Sequence, residues 1–266
     1  MSLATSSAGS SVTKTAADMG QLARIVRHPI KAIGREELAQ VVLSPGQCLP
    51  GDRVWAVAHE AAKFGAAPVQ WAAKMNFLRG VSAPSLMAVE AQLTDGQIAL
   101  SHPEHPPLTF DPGTVEGRAA LIHWLRPMWP AQKPEPTDLV TVPDVAMTDV
   151  PDPWVSINSF SSLKALSQTA GQDLSPHRFR GNLWVDGLEP WAEFDWIGQE
   201  ISIGVARLVV RQRITRCKAT LANPETGKRD VDTLAALTAG WDHTDFGIYA
   251  EVISGGEVAL GDPVSL

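Results

Sequence analysis

Five cations and a cysteine lie within twelve residues in the segment Arg207-Leu-Val-Val-Arg211-Gln-Arg213-Ile-Thr215-Arg216-Cys217-Lys218, in a chain whose formal net charge is −7. Strand alternation puts Arg211, Arg213, Thr215 and Cys217 on one side, while Arg216 and Lys218 flank the sulfur. Cationic neighbours favour thiolate over thiol, and a thiolate attacks electrophiles or ligates a soft metal. The same run also reads as a solvated basic strand with an ordinary semi-buried cysteine.

A second basic cluster is Pro176-His177-Arg178-Phe179-Arg180-Gly181-Asn182. Its arginines and Asn182, beside a glycine, either offer fork donors and open backbone to an oxyanion or form a polar loop. Lys31 and Arg53 flank glycine-bearing turns in the first half. Together these separated basic elements suit a multiply anionic ligand lying between two domains. His102-Pro-Glu-His105 has H-x-x-H spacing but reads as a surface loop, and Asp242-His243-Thr244-Asp245 reads as a capping loop or the home of a general base. The chain contains no G-x-S-x-G, H-E-x-x-H, P-loop or G-x-G-x-x-G motif. Hydrolase, zinc protease, NTPase and Rossmann readings therefore lose their usual support.

The elements that must position these residues are short. Among 266 residues, 44% are hydrophobic and 19% charged, which marks a globular chain. Its 20 Pro and 21 Gly imply many turns and much β structure. The negative net charge disfavours nucleic acid and anionic lipid as partners. Cys48 and Cys217 cannot build a disulfide framework, a four-cysteine zinc site or an all-cysteine iron–sulfur cluster within one chain. No apolar run approaches the roughly 18 residues of a membrane helix. The first twenty residues lack the regions of a signal peptide and read as a disordered tail on a cytoplasmic protein.

Strands are expected at 22–26, 38–43, 53–57, 86–93 with 98–100 across Asp95-Gly96, 183–185, 200–203, 206–214, 247–253, 258–260 and 264–266. Helical spacing is expected over 68–78 and 115–125. A further helix would be capped at Ser156-Ile-Asn158-Ser159 and stopped at Gly171, and another would span 232–239 before Gly240. Gly46 to Asp52 and Gly256 to Asp262 share G-x-x-x-x-G-D, a repeated turn device or a chance match. The division is a tail at 1–20, a first domain at 21–149 and a second at 150–266. The fold class is β-rich α+β, two barrel-like β domains with a few helices and the site between them.

Several ordered motifs carry a resemblance. They are Arg180-Gly-Asn182-Leu-Trp-Val-Asp186-Gly187, Pro190-Trp191-Ala-Glu193, Trp196-Ile-Gly198, Thr215-Arg216-Cys217, Asn223-Pro-Glu-Thr-Gly227, Phe246-Gly247-Ile248-Tyr249 and Gly261-Asp262-Pro263-Val264. Together they resemble the MOSC domain over about residues 150–266. Pro29-Ile30-Lys31 and Gly51-Asp52-Arg53 resemble elements of the β-barrel domain that often precedes it. The two halves are similar to the mitochondrial amidoxime-reducing component and its bacterial relatives. The resemblance implies a molybdenum-dependent oxidoreductase that reduces small N-hydroxylated compounds. Cys217 would supply the protein thiolate to molybdenum, whose other ligands include the dithiolene of an anionic pterin.

Carried over by position, Lys31, Arg53, Arg180, Asn182 and Arg216 would bind pterin or phosphate. Ser156, Asn158 and Ser159 would present donors to the same anion, Phe246 would join the cofactor set, and Asp245 would relay protons. Ala32 stands where relatives often carry a hydroxyl. With no iron–sulfur domain expected in this chain, electrons would come from separate donor proteins, and no membrane anchor is expected. Two other readings stay open: a non-catalytic carrier of the molybdenum cofactor, and a sulfur-transfer protein bearing a persulfide on Cys217 with a cysteine desulfurase as partner.

Overall fold

A computed structural model describes residues 20–266; the tail expected over 1–20 lies outside the described residues but for Gly20. In the first half the strands are β1 Gln21–Arg27, β2 Glu36–Leu38, β3 Gln40–Leu43, β4 Trp55–His59, β5 Glu90–Thr94, β6 Gln97–His102, β7 His105–Phe110 and β8 Pro136–Thr141, with helix α1 Val115–Leu125 before β8. The second half holds β9 Val155–Ser159, α2 Phe160–Ala170, β10 Leu183–Asp186, β11 Glu200–Ile203, β12 Ala206–Thr215, α3 Thr233–Trp241, β13 Asp245–Ser254, β14 Gly256–Ala259 and β15 Val264–Ser265. The fold is β-rich with few helices, and none of the described helices is long and apolar enough to cross a membrane.

Eight strands form one sheet in the order β15-β11-β12-β13-β9-β10-β1-β2. β9 and β10 run parallel, joined by the α2 crossover, and the other pairs are antiparallel. The sheet is not closed by strand pairing, but its curvature brings the chain end back to β1, where Leu22 N donates to Asp262 O and Gly261 N to Leu22 O, both at 2.8 Å. Strands β1 and β2 thus belong to a sheet built mostly from the second half, and β3 pairs with β14. The rest of the first half forms the pair β4-β8 and the sheet β5-β6-β7. Period-two alternation buries Ala206, Leu208 and Val210 of β12 in a core with Ile157, Leu183 and Ile248. Leu121, Ile122 and Leu125 of α1 bury against Ile98, Phe110 and Leu139 in the other half.

Several expectations need correcting. The stretch 68–78 forms only a single 3-10 turn, Lys74–Asn76; its capping Ala73 makes no side-chain bond, and Val69 and Met75 stay exposed, so no apolar face rewards a helix. The strand expected at 38–43 divides at Ala39 between two sheets. Ser156 to Ser159 are not a helix start: the five buried residues of β9 occupy the middle of the sheet, and only Ser159 caps α2. Helix α3 runs through Gly240 to Trp241 and ends on Asp242, whose left-handed φ of 58° is one Asp tolerates.

Behind α2, Glu193 is fully buried. Its two carboxyl oxygens accept from Ser162 Oγ at 2.8 and 2.9 Å, and the same Oγ accepts from Trp191 N at 2.8 Å. Burial pushes the Glu193 carboxyl up to about 7, against the opposing Ser162 hydrogen bond. Above its ordinary value of 4.5 the unfolded chain releases a proton that the folded state keeps. Stability should therefore fall as pH rises to about 7 and then level off, by about 3 kcal/mol. Urea unfolding of wild type and Glu193→Gln across this interval isolates the effect; a pH-independent difference between them would contradict it.

Candidate functional site

Three short backbone devices bring the basic elements together. β1 ends at Arg27, and Lys31 N then donates to Trp55 O at 2.8 Å, docking the turn beside β4. Gly51-Asp52-Arg53 turns back onto this segment, with Arg53 in the left-handed region at φ 52° and its N–H on His28 O at 2.7 Å. In the second half, Arg180 ends a 3-10 turn at φ 47°.

These turns aim charges at one another. Arg53 donates through Nη1 to the Asp52 carboxylate and through Nη2 to Arg180 O at 2.9 Å. Arg180 reaches back to Gly34 O at 3.0 Å and Ile30 O at 3.2 Å, so each arginine holds backbone of the other half. Asp52 Oδ1 also accepts from His28 N at 2.7 Å and lies 3.2 Å from His28 Nδ1. Burial opposes ionisation of Asp52, yet Arg53 and the His28 hydrogen bond together hold it below the usual carboxylate range. Burial likewise pushes His28 well down, leaving a neutral imidazole. Arg180 is lowered to about 9 by burial and then by Arg53.

Arg216 follows the end of β12 and donates to Phe246 O at 2.8 Å, Phe179 O at 2.7 Å and Asn158 Oδ1 at 3.2 Å. The Phe179 ring, stacked on Phe246 at 4.0 Å, lies 5.5 Å from its guanidinium. Burial lowers Arg216 to about 10. Asn158 itself sits between Gly181 and Gly247, where a Cβ on either glycine would collide with its amide.

The result is a cavity of about 550 Å³ walled by both halves. Its cations are Lys31, Arg53, Lys74, Arg79, Arg178, Arg180, Arg213 and Arg216, against the single acid Asp149. Asp149 accepts from Lys31 Nζ at 2.5 Å and lies 3.8 Å from Lys74. Partial burial would raise its carboxyl, but Lys31, Lys74 and Arg53 together outweigh this and hold it at about 2. Nine of the fourteen arginines have carboxylate partners. Arg229 bonds Val81 O, and the other four, Arg79, Arg180, Arg213 and Arg216, all line the cavity. Cys217 lies exposed in the same wall, at the start of the 3-10 turn Lys218–Leu221.

Lys31, Arg53, Ser156, Arg180, Asn182, Arg216 and Cys217 therefore converge on the cavity. Ser156 and Asn182 are also cross-braced, Ser156 Oγ donating to Asn182 Oδ1 at 2.8 Å while Asn182 Nδ2 donates to Val26 O at 3.2 Å. Asn158, Ser159, Asp245 and Phe246 are not in its wall. Asn158 and Phe246 hold Arg216, Ser159 caps α2, and Asp245 accepts from Thr215 Oγ1 at 2.6 Å. Arg211, Arg213, Thr215 and Cys217 are all exposed with Ile214 buried, in the expected phase, but β12 ends at Thr215 and Cys217 itself starts the turn that follows. Arg207 and Arg211 pair with Glu200 and Glu251 on the surface, as the solvated-strand reading has it. His102 is committed to Ser85 Oγ at 3.0 Å, and among the described residues no cluster of three His, Cys, Asp or Glu is placed to hold a metal. Arg79, Asp149 and Tyr249 join the wall without having been singled out for it in the sequence.

Asp52→Asn would leave buried Arg53 without its counter-ion, and the expected cost is about 3–5 kcal/mol. A shift of the urea midpoint at unchanged m-value measures it; a loss under about 1 kcal/mol would contradict the account.

Among solved structures, the YuaD protein of Bacillus subtilis aligns over 92% of this chain and 93% of its own at 12% identity and a TM-score of 0.44. YiiM of Geobacillus stearothermophilus aligns over 42% and 53% at 19% identity and a TM-score of 0.31. Over 139 residues the chain is 30% identical to mitochondrial amidoxime-reducing component 1 of Xenopus laevis, covering 48% of this chain and 38% of that protein. Over 92 residues it is 32% identical to molybdenum cofactor sulfurase of Anopheles gambiae, covering 33% and 12%. The matched stretches span well under half of either relative. Residues 19–124 match the family of the MOSC N-terminal beta barrel domain, and residues 145–265 match the MOSC domain family. The chain is thus a MOSC-domain protein, with a MOSC N-terminal beta barrel domain ahead of the MOSC domain.

Proposed function

We propose that this protein binds a molybdenum cofactor in the cavity between its halves and acts as a reductase of N-hydroxylated compounds, taking electrons from separate donor proteins in the cytoplasm. The observation that carries the reading is an exposed cysteine in a wall with eight cations and one acid. The donor set fits such a group. A pterin phosphate needs cations that are not already neutralised, and Arg180 and Arg216 are held by backbone oxygens and an amide without carboxylate partners. A soft metal needs sulfur, and Cys217 is the one cysteine in the wall.

In this reading Cys217 holds the metal while Lys31, Arg53, Arg180 and Arg216 balance the charge of the bound anion. Asn182 and Ser156 keep the floor rigid through their mutual hydrogen bonds. When bound, the cofactor would supply the redox chemistry. Asp245 would act on the cavity only through Thr215, whose hydroxyl donates to it. The 30% identity to an amidoxime-reducing component supports the reductase. The 32% identity to a molybdenum cofactor sulfurase supports a second reading, sulfur carriage on Cys217.

Molybdenum by plasma mass spectrometry and pterin fluorescence, on protein from a cofactor-competent host, should find both near stoichiometric in wild type. Metal should be lost in Cys217→Ser and retained in Cys48→Ser, since Cys48 lies outside the cavity wall and burial pushes its thiol up to about 12. Metal-loaded protein should oxidise reduced viologen with a hydroxylamine; binding without turnover would mean a carrier. Absence of metal and pterin, even after reconstitution, would sink the molybdenum reading, and a sulfur-sized mass adduct on Cys217 would then favour sulfur transfer.

A further inference from the structure

Arg79 is a cavity cation that the cofactor reading leaves unused. Its backbone is fixed: Phe77 and Leu78 before it are buried, and Leu78 N donates to Val57 O at 2.9 Å. After it, Gly80 is packed so that a Cβ would lie 2.6 Å from Met87 Sδ and 3.6 Å from the Cβ of Ala219. Ala219 belongs to the turn that Cys217 starts, and Arg229 Nη2 bonds Val81 O at 2.8 Å from the same side. The backbone next to Arg79 therefore adjoins the turn that follows Cys217.

Its guanidinium, in contrast, has one polar contact, Nη1 to the weak acceptor Met75 Sδ at 3.2 Å. Arg180 and Arg216 donate to backbone oxygens, and Arg213 lies 4.2 Å over the Phe194 ring. Asp149, the one acid of the wall, is engaged by Lys31 and Lys74. A guanidinium fork left without a counter-ion in the wall that Cys217 also lines matches a carboxylate in planarity and charge. We infer that Arg79 forms a carboxylate-binding subsite, so that the substrate carries its own carboxylate. This rests on the reductase reading.

The test compares a neutral aromatic amidoxime with its carboxylated analogue on metal-loaded wild type, Arg79→Gln and Arg79→Lys. Wild type should favour the carboxylated compound in kcat/KM by tenfold or more, less so at high salt. Arg79→Gln should reduce that ratio roughly tenfold to hundredfold, the loss of a charge-assisted hydrogen bond. Arg79→Lys should keep part of it. Equal kcat/KM for the two compounds in wild type, or a ratio that Arg79→Gln leaves unmoved, would overturn the subsite. Calorimetric binding of the carboxylated amidine, which is not turned over, separates this from failure of the reductase reading. If neither amidoxime is reduced, the reductase reading falls; tighter amidine binding by wild type than by Arg79→Gln then still supports the subsite, and equal binding overturns it.

Discussion

The reciprocal grip of Arg53 and Arg180 is the interaction on which the rest of the site depends. Two guanidinium groups are brought together at the seam of the halves, where burial already disfavours charge. One carboxylate, Asp52, pairs with Arg53, and the other acceptors are main-chain oxygens of Arg180, Ile30 and Gly34. A carbonyl satisfies donors without cancelling charge, so the groups are hydrogen-bonded while the region stays positive. Both arginines take the left-handed conformation, at φ 52° and 47°, in the turns that carry them to the seam.

The fold makes the grip durable by interleaving the chain. Because β1 and β2 lie in the sheet of the second half and β3 pairs with β14, the segment carrying Lys31 cannot slide relative to Arg180 without breaking sheet hydrogen bonds. The turns that follow β3 and β14 are alike: Asp52 N bonds Leu49 O at 3.0 Å and Asp262 N bonds Ala259 O at 3.1 Å, with Gly51 and Gly261 both at positive φ. The likeness is confined to that closing turn, since Gly256–Ala259 is β14 itself whereas residues 46–49 form a loop after β3. One copy uses its aspartate at the site, and the other ties Asp262 Oδ2 to Ala259 N.

Legibility in the sequence followed how local each cause is. The helix at 115–125, the stop at Gly171 and the Asp95-Gly96 turn, with φ of 51° and 78°, depend on a few adjacent residues, and each could be read directly. Strand β9 misled because Ser and Asn at a predicted cap are polar, whereas here they are buried in mid-sheet and bonded to Asn182 and Arg216. The alternation around Cys217 held in exposure, but only tertiary structure puts Arg213 and Thr215 in its cavity wall while Arg211 pairs with Glu251 on the surface. Motif likeness located Lys31, Arg53, Arg180 and Arg216. It passed over Arg79 and Asp149, which join the wall by tertiary packing and carry no local pattern.

The distribution of partners also reconciles a cationic cavity with a negative chain. Surface arginines such as Arg207, Arg118 and Arg211 are matched by acids, so the net charge of −7 comes mainly from carboxylates outside the cavity wall. At physiological salt their field decays within roughly 8 Å, and an anion at the cavity mouth meets the nearby unpaired guanidiniums before those carboxylates. Long-range repulsion then discourages polyanions too large to enter, and short-range attraction acts on ligands that fit. The selectivity comes less from how many cations the chain contains than from which of them are left without counter-ions.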